Sequence, residues 1–163
     1  MKIAIIYKST HHQNTRRVAE AIAATLQATL VTVDEAVEFE GKDFDLVGFG
    51  SGIYFGRHHK SLRHLVETWA SLPACSFVFS TAGLPWMASL WHRSLTNALT
   101  RRGSKVIGHF CCPGWDTVGP LWLVGGLNRT HPNEQDLSRA IRFARSLPGD
   151  SLATAARKAS HGD

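Results

Sequence analysis

The sequence predicts one α/β domain built on a doubly wound, five-stranded parallel sheet with helices on both faces. Strand-like apolar runs alternate with amphipathic helical patterns over residues 1–148, as in parallel α/β folds. The runs are apolar throughout, which is typical of strands buried on both sides. A chain of 163 residues, 44% of them apolar, can bury the core of one such domain. We expect residues 149–163 to form a flexible C-terminal tail, since they offer little to bury.

The predicted elements follow one another without internal repeats. The first strand, Ile3–Tyr7, is followed by a polar loop and by a helix that ends near Leu26. Further along the chain, Pro73 and Gly103 are helix-ending residues. The other predicted elements are a strand over 29–33, a short helix or loop over 34–43, a strand over 45–50, a helix with its apolar face over 62–69, a strand over 74–79, a helix over 87–102, a strand over 105–110 and a last helix starting near residue 132 or 133.

Hydropathy and cysteine content limit the class of protein. No apolar stretch is long enough to span a membrane, and we expect a cytoplasmic protein. The three cysteines, Cys75, Cys111 and Cys112, do not form a disulfide framework. They also lack the paired spacing of a zinc site.

The formal net charge of +5 is unevenly distributed along the chain. Six of the thirteen acidic residues lie between Asp34 and Asp45, which leaves 17 Lys and Arg against 7 Asp and Glu elsewhere. No basic helix or basic–aromatic motif gathers these cations, so nucleic-acid binding is disfavoured. The excess favours an acidic protein partner or an anionic cofactor.

The first loop, Ser9–Thr15, is predicted to bind an anion. It lies between the carboxyl end of a strand and the N-terminus of a helix, where backbone N–H groups and the helix dipole attract negative charge. Its hydroxyl and amide side chains suit a phosphate without adding charge. The alternative is an ordinary helix cap formed by Asn14 or Thr15.

Three further loops at the same ends of the predicted strands are also unusual. Residues 51–61 form a glycine-punctuated, aromatic and basic loop, residues 80–86 form a loop of small residues that ends in Trp86, and residues 111–132 form a long connection rich in Gly and Pro. Ligands of doubly wound sheets bind outside the carboxyl ends of the strands. The four loops therefore predict one shared binding site.

Several other chemistries are disfavoured by missing motifs. The first loop has neither GxxxxGK[ST] nor GxGxxG, and no GxSxG nucleophile elbow or Cys-x5-Arg phosphatase loop is present. His58 and His59 have no carboxylate near them in sequence, so a metal site there is disfavoured. Aromatic residues between glycines, together with phosphate donors, favour a planar cofactor that carries a phosphate.

At this point the chain resembles the flavodoxins. The resemblance rests first on Tyr7, Ser9, Asn14–Thr15, Ala19 and Ile22, which are similar to the family's FMN phosphate signature. It is closer to a subgroup of flavodoxin-like proteins with loops like THHQNT, GSGIYFGRHHKSL and GWDTVGP…GG…HPNEQDL, in this order, and it covers about residues 1–147. The resemblance implies the strand order 2-1-3-4-5, with FMN as cofactor.

The resemblance also implies a role for each loop. The residues expected to hold the FMN phosphate are Ser9, Thr10, His11, His12, Gln13, Asn14 and Thr15. Those expected to line one side of the flavin ring are Ser51, Gly52, Ile53, Tyr54 and Phe55. The ring edge is expected to contact Ser80, Thr81, Ala82 and Gly83, with Trp86 nearby, and the site is expected to be closed by Cys112, Gly114, Trp115, Asp116 and Thr117.

The chain departs from typical flavodoxins at two points. Gln13 stands where the family usually has glycine, and a positive φ there would strain a glutamine by about 1–2 kcal/mol. The chain is basic where flavodoxins are acidic, and cations near the flavin stabilise its reduced anion. The first hypothesis is therefore an FMN-binding electron-transfer protein with a redox partner protein. The alternatives are an FMN-dependent oxidoreductase, similar to quinone reductases or to the flavodoxin-type protoporphyrinogen oxidase, and a flavin-free binding module.

Overall fold

The structure is a computed structural model, and it describes residues 1–10, 13–114 and 128–147. Its strands are β1 (Ile3–Lys8), β2 (Thr29–Thr32), β3 (Leu46–Tyr54), β4 (Arg57–His58), β5 (Cys75–Ala82) and β6 (Lys105–Pro113). Its α-helices are α1 (Asn14–Leu26), α2 (Lys60–Thr68), α3 (Ala88–Arg101) and α4 (Glu134–Ser146). Short 3-10 turns occur at Ala36–Glu38, Gly41–Asp43 and Pro85–Met87. The predicted tail lies outside the described residues.

The five long strands form a parallel sheet in the order β2-β1-β3-β5-β6. This is the predicted order 2-1-3-4-5 when the long strands are counted along the chain, so the predicted fold is confirmed. The short strand β4 was not predicted, and it pairs antiparallel with the end of β3.

Both faces of the sheet are apolar because successive side chains of each strand point to opposite sides. In β1, Ile3, Ile5 and Tyr7 pack in the core beneath α1 and α4. Ala4 and Ile6 pack in the second core, beneath α2 and α3. Two separate hydrophobic cores therefore hold the helices in two layers around one sheet.

Strand β3 ends four residues later than predicted, and the expected loop over 51–61 is wrong in its first part. Gly50 is the last residue of the predicted strand and Gly52 lies in the expected loop, but both lie within β3. A Cβ at Gly50 would overlap the Phe79 ring, and a Cβ at Gly52 would lie 2.8 Å from the Tyr54 hydroxyl. These glycines admit neighbouring aromatic rings rather than ending the strand.

The helix ends agree with the sequence at α3 and α4 and differ at α1. Gly103 follows α3 with φ 89°, as predicted. Helix α4 begins after Asn133, close to the predicted start, and the Asn133 side chain caps it. The expected cap of α1 by Asn14 or Thr15 is wrong, because the N-cap position is Gln13, whose side chain makes no capping hydrogen bond. The first turn of α1 contains no acidic residue.

None of the helices in the described part of the chain combines the length and the apolar character needed to cross a bilayer.

Candidate functional site

The candidate site lies at the carboxyl edge of the sheet, where strand register brings three small polar side chains into one row. Ser51 of β3 pairs with Ser80 of β5, and Ser80 pairs with Cys111 of β6. Because these positions are in register, their side chains point to the same face, which is the one covered by α3. The loops that follow these strands converge above this row.

The phosphate loop (residues 9–15) connects β1 to the N-terminus of α1. Asn14 is buried and Thr15 is only 2% exposed, so the first turn of α1 packs its polar side chains inward. The Ser9 hydroxyl is buried and has no hydrogen-bond partner within the described residues. A buried hydroxyl without a partner is costly, and an oxyanion accepting its proton would remove that cost. The loop therefore has the donor chemistry of a phosphate site.

Gln13 adopts a left-handed backbone conformation, with φ 55° and ψ 21°. The strain expected for a glutamine at a glycine-type position is therefore present. Its exposed side chain makes no capping hydrogen bond. Gln13 therefore contributes to this loop through its backbone, whose left-handed conformation leads directly into the first turn of α1.

Contacts at Thr81 join the phosphate loop to the fourth and fifth loops. The Thr15 and Thr81 hydroxyls are hydrogen-bonded at 2.9 Å. Gly114 donates its N–H to the Ala82 carbonyl at 3.0 Å, and a Cβ on Gly114 would lie 3.0 Å from the Thr81 Cβ and 3.1 Å from the Asn14 amide. A side chain at Gly114 would crowd both loops, so glycine allows this close approach.

Cys112 is fully buried in the core beneath α1 and α4 and pairs in register with Thr81. Burial raises the pKa of the Cys112 thiol well above its ordinary value, and burial likewise raises the pKa of Cys111. Both thiols are therefore protonated near neutral pH, which gives them the character of packing groups rather than nucleophiles.

The third loop is a tight β-hairpin between β3 and β4. Tyr54 pairs with Arg57, and the two-residue turn of Phe55 and Gly56 has φ values of 50° and 74°. Phe55 is 93% exposed at the tip. The Tyr54 hydroxyl is hydrogen-bonded to the Thr10 hydroxyl at 2.7 Å, so the hairpin is tied to the phosphate loop. The residues predicted to line one side of the ring thus flank the phosphate loop, with Ile53 half-buried in the same strand.

Ser51 and Ser80 are fully buried and bonded within the protein. The Ser51 hydroxyl accepts the His59 N–H at 3.0 Å and lies 2.9 Å from His58 Nδ1. The Ser80 hydroxyl lies 2.7 Å from His92 Nε2. Their hydroxyls therefore hold histidines, and both residues lie within the ladders of the sheet.

Three imidazoles form a histidine row (His58, His92 and His109) beneath the edge. The ring centroids of His58 and His92 are 5.1 Å apart, and those of His92 and His109 are 5.6 Å apart. His58 Nε2 and His92 Nδ1 are buried without a hydrogen-bond partner in the described residues. Burial, followed by the neighbouring His109, lowers the pKa of His92 to about 4, and burial, followed by His92, Arg63 and His109, holds the pKa of His58 well below its ordinary value. The row is therefore neutral at physiological pH.

His92 and His109 were not singled out in the sequence. The signal that could have found His92 is its place on the inner face of α3, three residues before Leu95 and next to Trp91. His109 carries no comparable signal, since it lies within an otherwise apolar strand.

The fourth loop presents an apolar surface. Trp86 is 75% exposed, and Leu84, Met87 and Leu90 are also exposed. Ala82 is buried, and the carbonyl of Gly83 accepts a hydrogen bond from the Asn128 side chain at 2.8 Å. This contact attaches the chain leading into α4 to the edge of the site.

Four of the predicted cofactor residues, His11, His12, Trp115 and Asp116, lie outside the described residues, as does Thr117. Within residues 1–10, 13–114 and 128–147, no group of three histidine, cysteine or acidic side chains has the geometry to hold a metal ion. The remaining predicted residues lie around one edge of the sheet, and their roles toward a cofactor stay predictions.

This combination of a 2-1-3-4-5 parallel sheet and a hydroxyl-rich loop at the N-terminus of the first helix defines a flavodoxin-type α/β protein. The family model for the flavodoxin domain matches residues 4–109, well over half of the chain. The chain belongs to the flavodoxin family, and the resemblance noted from its motifs is confirmed.

Individual relatives agree with this assignment. An uncharacterized protein of Methanocaldococcus jannaschii is 44% identical over 147 residues, which cover 90% of this chain and 98% of the relative. The structure of oxidised Flavodoxin 2 from Bacillus cereus matches with a TM-score of 0.65 at 17% identity, over 90% of this chain and 97% of that one. A flavoprotein from Lactobacillus acidophilus, solved in complex with FMN, matches with a TM-score of 0.53 at 15% identity, over 68% of this chain and 92% of that one.

Proposed function

We propose that this protein binds FMN at the carboxyl edge of its sheet and carries electrons between redox partners. The observation that carries the proposal is the phosphate loop. There, a buried Ser9 hydroxyl without a partner stands at the N-terminus of a helix whose first turn holds no acidic residue. That combination suits a dianionic phosphate ester. The FMN complex of the Lactobacillus acidophilus flavoprotein, which shares the fold, supports the choice of cofactor.

The residues divide the work of holding the cofactor. The phosphate loop binds the phosphate through hydroxyl and backbone N–H donors, and Tyr54 and Phe55 provide an aromatic wall on one side of the ring. The backbone of residues 80–83 faces the ring edge and sets its orientation. When bound, FMN supplies the chemistry of one- and two-electron exchange, and the surrounding groups tune its reduction potential.

Cations around the hairpin are expected to raise that potential. Arg57 and Lys60 are exposed beside the predicted ring site, and Arg63 is half-buried there. A positive environment favours the reduced, anionic flavin, so the low-potential couple is expected to be less negative than in acidic flavodoxins. A redox titration tests this, with Arg57→Gln expected to move the couple to more negative values and Arg142→Gln, on the exposed face of α4, expected to leave it unchanged.

Uptake of FMN is the direct test of the proposed function. Purified full-length protein, freed of flavin and mixed with FMN, is expected to bind one equivalent, with quenched flavin fluorescence and a perturbed visible absorbance band. A protein that leaves FMN free in solution would overturn the proposal. That result would support the flavin-free binding module.

A second candidate, an FMN-dependent oxidoreductase, is favoured by one observation. A cavity of about 620 Å3 opens beside the hairpin, next to the predicted ring site, and is large enough for a small substrate. Steady-state reduction of a quinone by the FMN-loaded protein with NADH or NADPH distinguishes the candidates. Multiple turnovers without any second protein would favour the oxidoreductase, whereas an electron carrier requires a partner reductase.

The electron-transfer partner is proposed to be a cytoplasmic protein with an acidic surface. The net charge of +5 favours association with a negatively charged surface. The free state of Cys75, Cys111 and Cys112 agrees with a reducing compartment. Loss of partner reduction at high salt would support the charge-based association.

A further inference from the structure

A cationic pocket beside the β3–β4 hairpin shares part of its lining with the predicted FMN site and extends beyond it. It encloses about 620 Å3, and its lining residues are Thr10, Tyr54, Phe55, Arg57, His58, His59, Lys60 and Arg63. Three of these residues belong to the predicted flavin site, and the other five continue from β4 into α2. The pocket is therefore adjacent to the predicted ring position.

The three permanent cations of the pocket are not neutralised by the described residues. None of the ion pairs within residues 1–10, 13–114 and 128–147 includes Arg57, Lys60 or Arg63. The buried Arg63 Nε has no hydrogen-bond partner there. Cations that share a concave site without a carboxylate raise the local potential and attract an anion.

Backbone and side-chain donors of the pocket point to the same ligand class. Helix α2 is nine residues long and begins at Lys60, which lines the pocket. The positive end of the helix dipole therefore lies beside the pocket. His58, only 3% exposed, lines the pocket, and its Nε2 is buried with no partner among the described residues. The Ser51 hydroxyl donates to the Gly52 carbonyl at 2.8 Å and therefore accepts from His58 Nδ1, which leaves a lone pair at Nε2. A hydroxyl proton of the bound molecule satisfies this nitrogen, whereas the oxyanion satisfies the unpaired Arg63 Nε–H.

The electrostatics of the two pocket histidines support a positive local potential. The pKa of His59 is lowered by burial and then by Lys8 and Lys60, although Asp34 acts in the opposite direction. The pKa of His58 is lowered by burial and then by His92, Arg63 and His109. Nearby cations therefore disfavour protonation of both rings, as expected for a pocket with a positive electrostatic potential.

We propose that the cationic pocket binds the phosphate or carboxylate group of a small organic molecule. Its concave shape and volume fit a small molecule, whereas an acidic protein surface would meet the exposed rim rather than the buried His58 nitrogen. The FMN phosphate belongs to the separate phosphate loop at α1. The further assignment of this molecule as an electron donor or acceptor for the flavin rests on the proposed function, but the anion binding itself does not.

Residue-resolved NMR of the full, flavin-free chain tests the anion site. Inorganic phosphate and citrate are titrated separately at constant ionic strength, since they represent the two sources of an oxyanion. Saturable shifts at His58, His59 and Ser61 are expected with at least one of the two probes. Shifts at Asn14 and Thr15 report the phosphate loop separately, so binding at the two sites is distinguished in the same experiment.

Variants of exposed cations establish which groups bind the probe. Arg57→Gln and Lys60→Gln are each expected to weaken pocket binding by about tenfold, because each removes a charge-assisted donor. Arg142→Gln removes the same charge from the exposed face of α4 and is expected to change binding by less than about twofold. Thermal melts confirm that each variant is folded.

Three outcomes would overturn the proposal: shifts confined to the phosphate loop, shifts that never saturate, or equal affinities in Arg57→Gln and Arg142→Gln. FMN uptake measured on the same preparations separates this inference from the proposed function. Pocket binding without FMN uptake would support the anion site and reject the proposed flavin function. FMN uptake without pocket binding would support the flavin function and reject the anion site.

Discussion

The phosphate loop and the β3–β4 hairpin flank the same edge of the sheet, and each turns through a non-glycine residue in the left-handed region. Gln13 has φ 55° and Phe55 has φ 50°. Such conformations cost roughly 1–2 kcal/mol for a residue with a side chain. The two loops differ in charge and in what they expose. Asn14 of the phosphate loop is buried and uncharged, whereas the hairpin exposes an aromatic ring and a cation.

This difference supports the proposal that the two loops recognise their ligands by different means. The Gln13 side chain is exposed and makes no capping hydrogen bond, so the strained residue serves the backbone N–H groups that follow it. Phe55 occupies a position where a two-residue hairpin turn normally has Asn or Gly. The chain therefore accepts backbone strain at this position and keeps an aromatic side chain there. In this proposal the phosphate loop recognises its ligand through backbone N–H groups and the Ser9 hydroxyl, whereas the hairpin recognises it through the side chains of Tyr54 and Phe55.

The largest expected effect comes from placing a negative charge in the phosphate loop. Asn14→Asp has nearly the same shape, and an acidic residue in the first turn is compatible with α1. Its carboxylate would repel the FMN phosphate, and like charges about 4 Å apart at a protein surface interact by about 4 kcal/mol. FMN affinity, measured by fluorescence titration, is expected to fall at least about 100-fold.

Asn97→Asp is the matched control, because it introduces the same charge on the exposed face of α3. Its FMN affinity is expected to change by less than about threefold. Equal affinities in Asn14→Asp and the wild-type chain would show that the phosphate does not bind at α1.

The second effect concerns pH and reports on the buried histidine His92. The folded-state pKa of His92 is about 4, below its ordinary value of 6.5, so the unfolded chain takes up this proton first as pH falls. Stability is therefore full above the ordinary value and decreases as pH falls toward the folded value. The free energy of unfolding is expected to drop by about 2 kcal/mol between about pH 7 and about pH 5, as measured by urea denaturation.

A pair of variants assigns this pH dependence. His92→Gln keeps a hydrogen-bonding group near Ser80 and is expected to flatten the pH dependence, whereas His64→Gln, on the exposed face of α2, is expected to preserve it. A wild-type stability that does not vary over this pH range would contradict the buried, neutral state of His92.

The third effect separates the side chain of Phe55 from its backbone. Phe55→Asn places a residue favoured in this turn and is expected to raise the free energy of unfolding by about 1 kcal/mol. It also removes the aromatic wall, so FMN affinity is expected to fall by about three- to tenfold. In contrast, Phe39→Asn, at a partly exposed position with φ −114°, is expected to lower stability. A Phe55→Asn protein that is more stable than the wild type but binds FMN with the same affinity would show that the Phe55 ring does not contact the cofactor.

The smallest effect concerns Gln13, and Gln27 provides its control. Both residues are glutamines in the left-handed region, with φ 55° and 52°, but Gln27 lies at the other end of α1. Glycine relieves the strain at either position, so both substitutions are expected to stabilise the fold by up to about 1 kcal/mol. A substitution that removes the same strain from the free and the FMN-bound protein leaves affinity unchanged, so FMN affinity is expected to stay within about twofold in both.

A tighter FMN complex in Gln13→Gly alone would indicate that the loop changes conformation when FMN binds. This comparison sharpens the concern raised by the sequence, since strain that is present before binding lowers stability rather than affinity. Thermal melts and fluorescence titrations of the two variants measure the two quantities separately.

Much of the fold could be predicted from the sequence because apolar periodicity is set by burial on both faces of the sheet. The error at β3 has a physical cause. Gly52 lies in a segment with the composition of a loop, and its true role depends on the Tyr54 ring that packs over it. A glycine that ends a strand and a glycine that admits a ring have the same local sequence pattern.

The candidate site was only partly accessible from the sequence. The phosphate loop could be predicted as an anion site because its hydroxyl and amide residues suit phosphate chemistry, and that role stays a prediction. The histidine row was missed because His58, His92 and His109 come from three separate elements. Only the packing of α3 against the strand ends brings these rings together, and a buried histidine on an amphipathic helix resembles any other polar residue in the sequence.

The extra length of β3 has a further consequence for the binding free energy of a ligand at this edge of the sheet. Gly52 is held by the ladder with β5, and Ile53 and Tyr54 are held by the ladder with β4. Fixing the backbone of one residue costs about 1–2 kcal/mol in conformational entropy, and here folding has already supplied that ordering for three residues. A ligand that reaches this wall meets a preorganised surface, and its binding free energy is not spent on ordering a loop.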